Sequence, residues 1–129
     1  MSDVVDAIGA ARLLPVVVLS SVEQAAPLGA ALLAGGLRSV EVTFRTDAAA
    51  ASIRVLAGNP ELLVGAGTVL TVDQVDQAFD AGARFVVSPG FGPAVVRRCQ
   101  ELALPVFPGV ATATEIQMAL DAGLDTVKF

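Results

Sequence analysis

The sequence predicts an α/β fold of alternating strands and helices, and three observations carry that prediction. Six short apolar runs recur, at residues 14–19, 37–44, 62–66, 84–88, 105–110 and 126–129. Their starts lie about 20 to 25 residues apart, the length of one strand, one helix and two short loops. Between them run Ala-rich segments with helical spacing, such as Val75, Ala78 and Phe79, or Ile116, Ala119 and Leu120. The third observation is repeated punctuation, in which a hydroxyl residue opens a helical segment and a glycine closes it.

Taken in order, residues 2–13 read as an extra amphipathic helix with Val4, Val5 and Ile8 on one face, placed to cover one end of a barrel. The first strand, 14–19, leads into Ser20 with Glu23 three residues on, a capping-box spacing, and that helix is expected to end at Ala34-Gly35. The second strand, 37–44, precedes a helix containing the Ala run 48–51, and the third, 62–66, precedes Thr71 with Gln74 and a stop at Ala81-Gly82. The fourth and fifth strands, 84–88 and 105–110, are followed by Thr112 with Glu115 and a stop at Ala122-Gly123. Thr126 to Phe129 completes the series. Parallel strands joined by helical crossovers form either an open doubly wound sheet or a closed barrel, and periodicity does not choose between them. The first strand–helix turn, Leu19-Ser20-Ser21, lacks a dinucleotide glycine fingerprint. Gly65-Ala66-Gly67 resembles a phosphate loop only weakly, and reads better as a strand end that lets a ligand approach the backbone.

Composition narrows the function classes. A chain of 129 residues with 54% hydrophobic content has material for one core. Its net charge of −5 and lack of Trp, Tyr or a basic cluster argue against nucleic-acid binding. The longest uncharged stretch, residues 24–37, is broken by Pro27 and three glycines and is too short for a membrane span. Asp3 and Asp6 stand where a signal peptide would be basic, and the one cysteine, Cys99, has no internal partner, so a reducing, cytoplasmic setting is expected.

No histidine is present, which removes His bases, Ser-His and Cys-His pairs and the commonest transition-metal ligand. Chemistry then falls to Lys, Glu, Asp, Arg or hydroxyls. On the second strand Glu41, Thr43 and Arg45 share one side by alternation, and a barrel would turn that side inward. Glu41 and Arg45 near the strand's C-terminal end are a structural salt bridge or a functional pair with about equal weight. Lys128, the one lysine, sits between Val127 and Phe129 on the last strand. It either guards an exposed strand edge or is an amine nucleophile, which attacks only as the free amine and so favours a desolvated site or a neighbouring cation such as Arg45.

At these residues a resemblance becomes specific. Glu41-Val42-Thr43-Phe44-Arg45-Thr46, Val64-Gly65-Ala66-Gly67-Thr68-Val69-Leu70, Ser88-Pro89-Gly90, Pro105-Val106-Phe107-Pro108-Gly109-Val110 and Val127-Lys128-Phe129 resemble, in order and spacing, the motifs of the 2-keto-3-deoxy-6-phosphogluconate (KDPG) and 4-hydroxy-2-oxoglutarate (KHG) class I aldolase family. The resemblance runs from Leu14 onward. It implies a (β/α)8 TIM barrel, truncated here to an N-terminal helix and about six strands of one domain over residues 1–129. It implies Lys128 as the Schiff-base lysine, Glu41 as the proton-transferring glutamate, Arg45 and Thr68 as holders of the pyruvate carboxylate, and Pro89 and Phe129 as pocket lining. No metal or cofactor is required by that chemistry.

The implied reaction cleaves a 2-keto-3-deoxy-6-phospho sugar acid to pyruvate and glyceraldehyde 3-phosphate. 4-Hydroxy-2-oxoglutarate and 2-keto-3-deoxy-6-phosphogalactonate are alternative substrates. The partner is thus a small 2-keto acid, with a homotrimer expected at full length. The family's barrel continues past the lysine through two strands whose turns hold the substrate phosphate. A chain without them would expose strand edges and part of the inner barrel face, so the alternative of another class is an inert barrel fragment that self-associates.

Overall fold

Five parallel strands lie side by side in chain order, β1 (Val16–Val17), β2 (Ser39–Thr43), β3 (Leu63–Gly67), β4 (Val86–Ser88) and β5 (Val106–Pro108), in a computed structural model that describes residues 2–129. Helix α1 (Ser2–Ala11) precedes them; α2 (Ala25–Ala34), α3 (Ala49–Ala57), α4 (Val72–Asp80) and α5 (Pro93–Glu101) are the crossovers, and α6 (Ala113–Asp121) follows β5. A doubly wound sheet reverses its strand order partway across. Unbroken consecutive order, with the crossover helices packed on one face, is instead the arc of a barrel.

Alternation along each strand divides the sheet between two cores. In β2, Val40 and Val42 point outward and join Val64, Ala66, Val86 and Val106 from the neighbouring strands. Against them pack Ile53 and Leu56 of α3, Val75 and Ala78 of α4, and Val95, Val96 and Cys99 of α5. All are buried, and burial pushes the Cys99 thiol up to about 12. Phe44 also packs against this outer layer, as the alternation predicts. On the inner face a smaller cluster joins Phe85, Val87 and Phe107 to Val4 of α1, with Val5, Ile8, Leu14 and Leu63 around it. The N-terminal helix therefore packs onto the inner side of the sheet, though it stops at Ala11, short of residue 13.

Three expectations are corrected. The sixth run forms no strand among the described residues: Lys128 makes one bridge to Gly109, through Lys128 N–H to Pro108 O (3.0 Å) and Val110 N–H to Lys128 O (2.9 Å). A ladder needs consecutive pairs, and Phe129 is 95% exposed. The first cap shifts by one residue, because a 3₁₀ turn (Val22–Gln24) opens the helix and the Gln24 carboxamide accepts from the N–H groups of Ser20 and Ser21. The left-handed glycine after α2 is Gly36 (φ 82°), not Gly35, whereas Gly82 and Gly123 adopt the expected conformation. The Thr112–Glu115 capping box is reciprocal, and Thr71 accepts from Gln74 N–H. No helix among the described residues is long and apolar enough to cross a membrane.

Candidate active site

Glu41 is the third of five residues in β2, so it stands mid-strand and not at the C-terminal end that the longer apolar run suggested. It faces inward and is only 2% exposed. Among the described residues no hydrogen bond or ion pair reaches its carboxylate, and it forms no salt bridge with Arg45. Burial raises its pKa above the usual carboxylate range, an effect opposed by the positive charges of Lys128 and Arg45.

Although Glu41 pairs in register with Gly65, its carboxylate lies over Gly67. A Cβ on Gly67 would fall 2.6 Å from both Cγ and Cδ of Glu41 and overlap Oε1, whereas a Cβ on Gly65 would enter the Phe85 ring. The two glycines thus accommodate protein side chains, which corrects the expectation that they admit a ligand to the backbone.

A cavity of about 370 Å³ opens above this point, lined by Glu41, Lys128 and mainly apolar groups that include Ile8, Val16, Val87 and Phe107. Lys128 is exposed and reaches the cavity from its bridge to Gly109. Gly109 also meets the turn after β4, since its N–H donates to Ser88 O (2.9 Å) and a Cβ there would strike the Pro89 carbonyl. Ser88 Oγ donates to Gly90 O (2.9 Å) and shapes that turn. Pro89, Lys128 and Phe129 accordingly line a second cavity of about 160 Å³ beside the first.

Thr68 follows β3 directly and adopts φ 55°, a left-handed conformation that is rare for a β-branched residue and recurs at ligand sites. Arg45 is the exception to the gathering. The strand ends at Thr43 and the chain turns, so alternation no longer governs its direction; it lines an outer cleft of about 330 Å³ with Phe44, Thr46, Asp47, Gln74 and Gln77. The structure therefore brings Glu41 to Lys128 and Lys128 to Pro89 and Phe129, places Thr68 at the adjoining strand end, and leaves Arg45 exposed beyond β2, outside the main cavity but near enough for its charge to act on Glu41. Val127, Thr126 and the α1 residues Val5 and Gly9 also line the main cavity, a role that the sequence reading assigned to none of them. The amphipathic spacing of α1 was the signal for the last two.

Several known proteins resemble this chain. It is 51% identical, over its full length, to the 2-dehydro-3-deoxy-phosphogluconate aldolase of Treponema pallidum, and 42% identical, over 89% of its length, to the KHG/KDPG aldolase of Escherichia coli. It matches the crystal structure of the Zymomonas mobilis 2-keto-3-deoxy-6-phosphogluconate aldolase with 3-phosphoglycerate at a TM-score of 0.94 and 40% identity over the whole chain. It matches the Legionella pneumophila KDPG aldolase, in which pyruvate is captured as a covalent carbinolamine intermediate, at a TM-score of 0.90 and 39% identity over 95% of the chain. The chain spans 54–62% of the length of these four relatives. Residues 4–129 match the family model described as KDPG and KHG aldolase, and with the barrel arc and these likenesses this places the chain in the KDPG and KHG aldolase family.

Proposed function

We propose that this chain carries the imine-forming half of a class I aldolase site that cleaves a 2-keto-3-deoxy-6-phospho sugar acid to pyruvate and glyceraldehyde 3-phosphate. The observation that carries the reading is one cavity, largely apolar, lined by the one lysine of the sequence and by a buried glutamate. Lys128 Nζ attacks the C2 ketone to give a carbinolamine, and loss of water gives a protonated imine. That cation draws the electrons of the breaking C3–C4 bond and leaves an enamine. Glu41 takes the proton of the C4 hydroxyl, returns one to C3, and assists the dehydration and hydrolysis steps. A carboxyl group whose proton affinity burial has raised suits both directions of transfer.

Thr68 and Arg45 are proposed to hold the substrate carboxylate, Arg45 by turning from its outer cleft toward the mouth and engaging both oxygens. Pro89 and Phe129 flank the imine. The same half-site would serve 4-hydroxy-2-oxoglutarate or the galactonate epimer, because all share the pyruvyl portion. By likeness to the family we further propose a cytoplasmic enzyme, assembled as a homotrimer at full length.

The test is intact mass after incubation with pyruvate and borohydride, followed by peptide mapping to separate Lys128 from the N-terminal amine. A reduced pyruvyl adduct on Lys128, absent from the Lys128→Met variant, is expected. A folded protein that forms no such adduct would sink the reading in favour of an inert barrel module.

A further inference from the structure

The Glu41 carboxylate raises a positioning problem. It is buried, no hydrogen bond from the described residues fixes it, and its Cα stands mid-strand. Gly67 answers the problem sterically. It pairs with Thr43, two residues nearer the C-terminal end of the strands than Gly65, the register partner of Glu41. At about 3.3 Å per residue, the side chain reaches some 6–7 Å along the sheet toward the mouth, where the cavity holds Lys128. Cγ, Cδ and Oε1 of Glu41 all occupy the space a Cβ of Gly67 would fill. Gly67 is itself anchored, since its carbonyl accepts from Phe44 N–H at 2.8 Å. The neighbouring Gly65 does not share the role, because its empty space belongs to Phe85.

We propose that Gly67 is the positioning residue for the proton-transferring carboxylate, forming a seat that holds Glu41 against β3 at the level of the lysine. The inference rests on the aldolase reading for its catalytic consequence, but the seat itself does not depend on it. A methyl group at Gly67 displaces the carboxylate outward into the cavity, where it is better solvated and lies at a different distance from the carbon that exchanges its proton.

The experiment follows hydrogen–deuterium exchange at the methyl group of pyruvate by NMR. That exchange needs only imine formation on Lys128 and proton removal from C3 by Glu41, with solvent deuterium returned. Gly67→Ala is expected to slow exchange by about 10- to 100-fold and to move the acid-side limb of its pH profile, where the carboxylate base ionises, to lower pH, while Lys128 is still trapped by borohydride on longer incubation. An unchanged rate and pH limb overturns the proposal.

A thermal-unfolding cycle covers the case in which Gly67→Ala folds poorly. The drop in melting temperature caused by Gly67→Ala should largely vanish in the Glu41→Ala background, where the atoms that clash are gone. An equal drop in both backgrounds means that the methyl strikes something other than Glu41, and the seat is refuted. Wild-type protein that neither traps nor exchanges pyruvate counts against the aldolase reading alone, and the cycle still decides the seat.

Discussion

The two faces of the same five strands differ sharply. The outward residues Val40, Val42, Val64, Ala66, Val86 and Val106 are buried under helices that the intervening sequence supplies. On the inner face, β1 presents Val16 at 53% exposure to a 370 Å³ cavity, although Phe85, Val87 and Phe107 close the part under α1. Each strand–helix–strand unit completes its own outer layer locally, whereas an inner face is completed only by the opposite wall of a barrel. Stability therefore resides mainly on the outward face and chemistry on the inward one, one residue apart along each strand.

That division can be broken at four points, in descending order of effect. Glu41→Gln should slow pyruvate methyl exchange by about 10²- to 10⁴-fold, the usual cost of losing a general base, without harming the fold. Its effect on stability has a definite sign. The native Glu41 pKa is raised, so its contribution is fully present below the ordinary carboxylate range and is lost as pH rises through the raised value. Melting curves of the wild type and the glutamine variant should thus coincide in acid and diverge in the variant's favour toward neutral pH. Curves that stay parallel would mean that Glu41 is not desolvated.

Next, Ile53→Ala in the outer layer should cost about 2–5 kcal/mol in denaturant unfolding, because the side chain is fully buried. Thr68→Gly should gain about 0.5–1 kcal/mol, the relief of left-handed strain less the added freedom of the unfolded chain, while weakening pyruvate binding. A loss of stability there would show that packing, not strain, dominates at Thr68. The smallest effect belongs to Val16→Ala on the open inner face, within about 0.5 kcal/mol. A cost approaching that of Ile53→Ala would mean that the inner face is covered in solution.

Much of this was legible in the sequence because it is local. Hydrophobic alternation in β2 placed Val40 and Val42 against helices and Glu41 within, and the Thr112–Glu115 spacing announced the cap of α6. The choice of barrel over open sheet was not local; it came from the resemblance, and in the structure from consecutive strand order. Where reading failed, tertiary geometry intervened. Apolar runs overstated strand length because the ladder stops where the chain turns, as it does after Thr43, and beyond that stop Arg45 lines a cleft of its own while its charge still acts on Glu41. The roles of Gly65 and Gly67 depend on which side chain crosses each from another strand, which no window of sequence reports.

The buried Cys99 has a practical consequence. Its thiol, on the sheet-facing side of α5 and shielded from solvent, should resist alkylating reagents while the outer layer stays closed. Since the sequence holds one cysteine and one lysine, on opposite faces of the sheet, the molecule carries two single-copy chemical reporters. Alkylation of the thiol times the opening of the helical layer, and trapping of the amine reads the occupancy of the inner cavity. Followed together in one sample by peptide mapping, which sets the N-terminal amine apart, the two labels separate loss of the fold from loss of the site.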